Sequence, residues 1–213
     1  MTLPRRNAIR LAAGAGASAA LALSGAPGFA FAAGENANDG RKDADLLIID
    51  DLSSPPEATV GGRWSYVSDR VMGGVSDGGG AYETIDDRLA LRLFGNVSTA
   101  NNGGFVQLSL RIDGRRLGAD RFDGIELDVW GNGEDYNVHV TTTRSFPPWR
   151  FYKHTFETQE NWRRIRLPWS DFTSETFRNP LDPRTINRLN LTAYARDFEA
   201  DLAVSRIAFY SES

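Results

Sequence analysis

From Asp45 onward, apolar and polar residues alternate with a period of two. In the run Arg88-Leu89-Ala90-Leu91-Arg92-Leu93-Phe94 the leucines share one face. Ile125, Leu127 and Val129 do the same in the next clear run, opposed by Glu126, Asp128 and Trp130. This spacing predicts half-buried strands. Further runs over residues 105–112, 136–143, 150–156, 162–167, 189–195 and 201–210 are each bounded by Gly, Asn, Asp or Pro. Along the last of them the apolar face moves from Leu202 and Val204 to Ile207 and Phe209, and an odd offset inside one strand implies a bulge near Ser205-Arg206. Helical signals are scarce: Asp182 as a cap with Pro183 behind it suffices for one short turn. About eight or nine antiparallel strands, without βα alternation, predict an all-β sandwich of jelly-roll type. No fixed-period repeat appears, which disfavours propellers and solenoids.

Residues 1–32 have a different character. They hold Arg5, Arg6 and Arg10 and no acid, then an Ala/Gly/Leu run from Leu11, then Pro27 and the small-residue pattern Ala30-Phe31-Ala32. That layout predicts an export signal cut after Ala32. The pair Arg5-Arg6 resembles a twin-arginine signal, with Pro4 and Ala8 at places where that pattern usually has Ser or Thr and Phe. The general secretory route and an uncleaved N-terminal anchor are the alternatives, the anchor being a poor match for the roughly 20 strongly apolar residues of a span. The run Gly14-Ala15-Gly16-Ala17-Ser18-Ala19 fits a dinucleotide fingerprint, yet no strand precedes it. Residues 33–45 are polar and Gly/Asn/Asp-rich and read as a disordered spacer before a domain over 46–211.

Composition narrows the function classes. The 213 residues contain no Cys, two His and a formal charge of −4, and loss of the three signal arginines leaves 21 basic against 28 acidic residues, or −7. Thiol nucleophiles, thiolate metal sites and disulfide frameworks are excluded. Nucleic acid is disfavoured as a partner, because its binding needs clustered basic residues. No cofactor motif survives, and no metal site is expected: EF-hand spacing is missing, and Gly131-Asn132-Gly133-Glu134-Asp135 is equally a hairpin turn, the alternative being a structural calcium ion held by loop carboxylates and carbonyls.

The most distinctive residues form two loops. One runs from Trp64 through Ser68-Asp69-Arg70-Val71-Met72-Gly73-Gly74-Val75-Ser76 to Gly78-Gly79-Gly80; the other joins Gly95-Asn96-Val97-Ser98 to Asn101-Asn102-Gly103-Gly104-Phe105. The glycines suggest positive φ or close approach of another group, and the asparagines tolerate the left-handed region. As a binding site, Asp69, Arg70, Ser76, Asn96 and Asn102 would supply polar contacts, Gly73 and Gly74 close approach, and Trp64 and Phe105 an anchor. As plain structure, the same loops close one end of the sandwich, with Trp64 and Phe105 plugging the core.

These two loops resemble the signature of the complex I intermediate-associated protein 30 family. Phe122-Asp123-Gly124-Ile125-Glu126-Leu127 with Gly131-Asn132-Gly133 and Tyr136, and Trp162-Arg163-Arg164-Ile165-Arg166-Leu167-Pro168 with Asp171-Phe172, extend the similarity over roughly residues 46–210. The resemblance implies a galactose-binding-like sandwich. It also implies a non-catalytic, chaperone-like partner protein, since mitochondrial members are similar to assembly factors that hold intermediates of NADH:ubiquinone oxidoreductase. An export signal of bacterial type sets this chain apart from that setting.

A second reading is a carbohydrate-binding module, in which aromatic faces stack on sugar rings beside hydroxyl-bonding polar groups. The segment 145–154 carries Phe146, Trp149, Phe151 and Tyr152, and Trp130, His139 and Tyr194 fall on the polar sides of their strands. If those strands are neighbours, Trp130, His139, Trp149 and Tyr194 form a sugar-binding face. Catalysis is not expected. Gly74-Val75-Ser76-Asp77-Gly78 matches G-x-S-x-G, but that elbow needs a strand-to-helix turn in a parallel sheet. With 28 acids, a glycosidase-like carboxylate pair decides nothing.

Overall fold

The computed structural model describes residues 45–147 and 149–212. The expected signal over 1–32, and all of the spacer but Asp45, lie outside the described residues. Eleven strands follow: β1 (Leu46–Asp50), β2 (Ser65–Ser68), β3 (Asp77–Ile85), β4 (Arg88–Val97), β5 (Phe105–Arg111), β6 (Gly124–Gly131), β7 (Asp135–Thr142), β8 (Tyr152–Glu157), β9 (Arg163–Pro168), β10 (Ile186–Tyr194) and β11 (Phe198–Tyr210). They build two antiparallel sheets. One has the order β3-β4-β11-β6-β9 with β1 also on β11, and the other the order β2-β5-β10-β7-β8. The fold is thus the expected all-β sandwich, with more strands than the eight or nine anticipated.

The alternation seen in the sequence packs the two sheets together. Leu91 and Leu93 of β4 and Leu127 and Val129 of β6 point inward, against Leu108 and Leu110 of β5 and Leu189 and Leu191 of β10, all buried. Each such side chain contributes about 1.5–3 kcal/mol on leaving water. The bulge falls where the apolar face shifts: β11 slips register against β6 between Val204 and Arg206. The short turn also forms, at Pro183–Thr185, with Asp182 Oδ1 accepting from Arg184 N at 3.1 Å. A second turn, α1 (Gly114–Leu117), is capped by Asp113 and stopped by Gly118 in the left-handed region.

Two local expectations change. Gly78-Gly79-Gly80 is not loop but the start of β3, paired along its length with β4. Glycine is required there because backbones meet closely: a Cβ on Gly78 would lie 2.1 Å from the Phe94 carbonyl oxygen, and one on Gly95 2.1 Å from that of Asp77. Nor is β6 half-buried. Its outer face is covered, with Glu126 accepting from Arg166 Nε (2.9 Å) and Arg206 Nη1 (2.6 Å), and Asp128 holding Arg164 through both oxygens (2.7 and 2.9 Å). The six-stranded sheet ends on β9, whose Arg163, Arg164 and Arg166 are exposed.

Candidate functional site

The two Gly/Asn loops meet on one buried carboxylate. Asp69 begins a single 3-10 turn (Asp69–Met72) after β2 and is fully buried. Its Oδ1 accepts from Ser76 N (3.0 Å), and its Oδ2 from Ser76 Oγ (2.5 Å), Gly104 N (2.6 Å) and Phe105 N (3.3 Å). Burial pushes this carboxyl up, but the hydrogen bonds from Ser76, Gly104 and Phe105 outweigh it and hold it below the ordinary carboxylate range. The neighbouring glycines make room for it: a Cβ on Gly74 would lie 2.3 Å from Asp69 Cγ, and one on Gly103 2.4 Å from Asp69 Oδ2. Gly73 takes φ +93 to end the turn, and Asn101 and Asn102 adopt φ near 58 and 57. Ser76 Oγ also accepts from Ser98 N at 2.9 Å, so this buried hydroxyl is committed to structure and sits in no nucleophile elbow.

The loops stand at one lip of a cleft of about 700 Å³ over the outward face of the five-stranded sheet. Its floor includes Asn190, His139 and Lys153, part of a longer cross-strand row. Antiparallel register places Ser65, Ser109, Asn190, His139 and Lys153 side by side from β2 to β8, a span of about 19 Å at the usual strand spacing. His139 stacks on Phe151 (ring centroids 4.1 Å apart) and meets the Tyr194 ring edge-on at 4.9 Å. Phe105, opposite Tyr194, completes the aromatic lining.

Two polar atoms of this floor have no partner among the described residues. Asn190 Nδ2 donates to the His139 carbonyl at 3.0 Å, which leaves its buried Oδ1 unbonded, and His139 Nε2 is likewise buried and unbonded. Such orphaned groups cost about 1–3 kcal/mol each unless water or a ligand satisfies them. Burial, helped by the Lys153 charge, pushes His139 down to about 3, so its ring is neutral at physiological pH. Lys153 is matched by Glu175 at 2.9 Å. The lips are apolar: Val71 and Met72 on one side are 76% and 57% exposed, Trp149 on the other 62%.

The candidate residues therefore separate. Asn102, Phe105, His139, Trp149 and Tyr194 line the cleft, and Arg70 is exposed beside its lip, with Nε on the Ser76 carbonyl at 3.0 Å. Asp69, Gly74 and Ser76 lie beneath the lip as its internal support. Trp64 packs on the core, its Nε1 bonded to Asp50 at 2.8 Å, whereas Phe105 faces the cleft and does not plug the core. Asn96 is an exposed residue of β4, and Trp130 belongs to β6, in the sheet opposite that of His139 and Tyr194, so it cannot share their face. The sequence reading missed Gln107, Arg111, Arg188 and Asn190 as cleft residues. The signal for the last two was present: polar residues alternate with Leu189 and Leu191 on the central strand. Among the described residues no cluster of three or more acidic or His side chains could hold a metal, and no helix is long and apolar enough to cross a membrane.

One sheet face of this all-β sandwich is armoured by ion pairs, and the other is hollowed into an aromatic-floored cleft. The chain belongs to the Complex I intermediate-associated protein 30 family, whose model matches residues 54–203. Its fold is shared with carbohydrate-binding modules. The family 11 module of the cellulosomal cellulase Lic26A-Cel5E of Clostridium thermocellum matches with a TM-score of 0.64 at 13% identity, covering 79% of this chain and 96% of the module. The Clostridium thermocellum family 11 module in complex with a β-1,3-1,4-mixed-linked tetrasaccharide gives 0.63 at 13% identity, over 79% and 96%. A family 30 module gives 0.52 at 14% identity, over 80% and 90%. At these identities the likeness is one of fold alone. No curated protein shows detectable similarity to the chain.

Proposed function

We propose that this chain is a non-catalytic binding protein that holds a segment of a partner protein in the cleft during assembly of a larger complex, as the name of its family suggests. The observation that carries this reading is the aliphatic and aromatic lip: Val71, Met72 and Trp149 stand exposed around one opening. Exposed apolar side chains that rim a cleft mark association with another macromolecule, and the flexible Met thioether adapts to a protein surface. The partner would be met outside the cytoplasm, since residues 1–32 have the layout of an export signal ahead of the domain over 46–211. Replacing Arg5 and Arg6 by Lys would then stop export; unchanged secretion would assign the general secretory route.

The decisive experiment is photo-crosslinking in living cells from a reactive amino acid at position 72. A discrete protein adduct, absent when Trp149 is replaced by Ala, is the expected result, and adducts unaffected by Trp149→Ala would overturn the assignment of the cleft. Arg70→Ala should weaken capture with a fall in melting temperature of only about 1–6 °C, because this exposed side chain gives up one hydrogen bond.

A carbohydrate ligand is the second reading, favoured by the floor: rings of Phe151, Tyr194 and Phe105 beside the unbonded Asn190 Oδ1 suit a sugar ring and its hydroxyls. Titration with neutral and acidic oligosaccharides separates the two. Saturable sugar binding, abolished by Tyr194→Ala, with no protein adduct, would replace the first reading by the second.

A further inference from the structure

We infer that the segment held in the cleft carries a carboxylate, taken up between Arg111 and Arg188; this rests on the protein-holding reading above. Arg111 of β5 and Arg188 of β10 are directly opposed in the antiparallel register, and both line the cleft. Like charges at directly opposed positions repel and destabilise a sheet. Other half-buried arginines of the domain have an acid or an aromatic face to sit on: Arg92 pairs with Glu83 and Asp201, Arg196 with Glu134, Arg206 with Glu126, and Arg150 lies over the Phe177 ring with two backbone carbonyls. Arg188 is half-buried and, among the described residues, has no such match. Its Nη1 reaches only the Ser109 hydroxyl, at 3.0 Å, and both burial and Arg111 act against its charge. The remaining cation of this face, Lys153, already has Glu175.

An uncompensated pair of guanidinium groups inside a cleft, on a protein with a net charge of −4, calls for an anion from outside. A carboxylate can take parallel N–H bonds from such groups, and these charge-assisted bonds are roughly twice as strong as neutral ones. The rest of the floor fits a polypeptide. Asn190 stands two residues from Arg188 on the same face, and its unbonded Oδ1 needs a donor. In an extended peptide, two residues span about 6.6 Å, so an acidic side chain on the arginines brings a backbone N–H to Asn190. Met72, Val71 and Trp149 then receive the peptide's apolar side chains. An acidic sugar would satisfy the arginines but leave the aliphatic lip uncovered.

The test is selection of a displayed library of random dodecapeptides on the full chain, on Arg111→Gln and on Arg188→Gln. The expected result is enrichment of peptides with Asp or Glu at one fixed position, bound about tenfold more weakly by either variant and by wild type once that acid is changed to its amide. Arg111 is exposed, so Arg111→Gln keeps the test valid if Arg188→Gln fails to fold. Enriched peptides without an acidic position, or acidic peptides held equally by both variants, would overturn the inference and leave the protein-holding reading standing. No enrichment at all would overturn both. Binding of oligogalacturonate in its place would assign the arginines to acidic carbohydrate.

Discussion

Replacing Asp69 by Asn tests the idea that one carboxylate assembles the cleft lip. The change is isosteric, so packing is preserved and only the donor–acceptor pattern alters. Four donor bonds converge on the two oxygens: Ser76 N on Oδ1, and Ser76 Oγ, Gly104 N and Phe105 N on Oδ2. An amide has one acceptor oxygen. In its better orientation the new NH2 group faces Ser76 N, leaving two donors opposed, while the other three bonds lose the strength a charged acceptor gives. One buried unsatisfied donor costs about 1–3 kcal/mol, and the loss of charge assistance adds about 1 kcal/mol, for a total of about 2–4 kcal/mol. At about 2–4 °C per kcal/mol for a domain of this size, melting should fall by roughly 4–16 °C. The sign of the pH effect follows from the direction of the shift. The carboxyl sits below its ordinary value in the folded protein, so its contribution is present above about pH 4 and disappears as pH falls through the folded value. Calorimetry of both proteins from pH 7 to pH 3 should show the gap closing toward the acid end. A melting temperature within about 2 °C of wild type at pH 7 would refute the argument.

Other outcomes follow from the same interactions. His139 is held neutral, so between about pH 6.5 and pH 4 only the unfolded chain takes up its proton, and stability falls with acidification by up to about 1.4 kcal/mol per pH unit. His139→Phe should flatten that part of the stability profile, and an unchanged slope would place the imidazole in water. Glu126→Gln should cost about 2–3 kcal/mol in urea denaturation, because Arg166 and Arg206 lose their shared counter-charge; full stability would mean that the arginines are solvated. Gly95→Ala should cost about 3 kcal/mol or more, since φ is +145 and the added methyl carbon lies 2.1 Å from the Asp77 carbonyl oxygen. A soluble, cooperatively melting variant with wild-type stability would contradict the close β3–β4 approach.

Much of this fold is legible in the chain because local alternation and burial agree. β4, β6 and β11 were readable to within a few residues, and even the bulge at Ser205 was visible as a shifted apolar face. β3 was not, because three glycines carry no side-chain period and the reason for them lies on β4. The roles of polar residues are harder to read, since a sequence shows charge but not what covers it. Glu126 and Asp128 looked like a wet face and are buried under arginines from β9 and β11. Asp69 looked like a contact for a partner and instead binds the backbone of residues 35 and 36 positions away. Trp130 and His139 share an outward position on successive strands, yet these strands enter different sheets, a choice made by long-range pairing alone.

The outermost strand β9 also governs how molecules meet one another. Among the described residues no strand pairs with its outer edge, which is a template on which a second copy could add; Arg164 is matched by Asp128, but Arg166 shares Glu126 with Arg206 and Arg163 has no acid, so the edge keeps a net positive charge. Two such edges laid antiparallel would bring guanidinium groups face to face, so ribbon-like growth is self-limiting at low ionic strength and loses this protection as salt screens the repulsion.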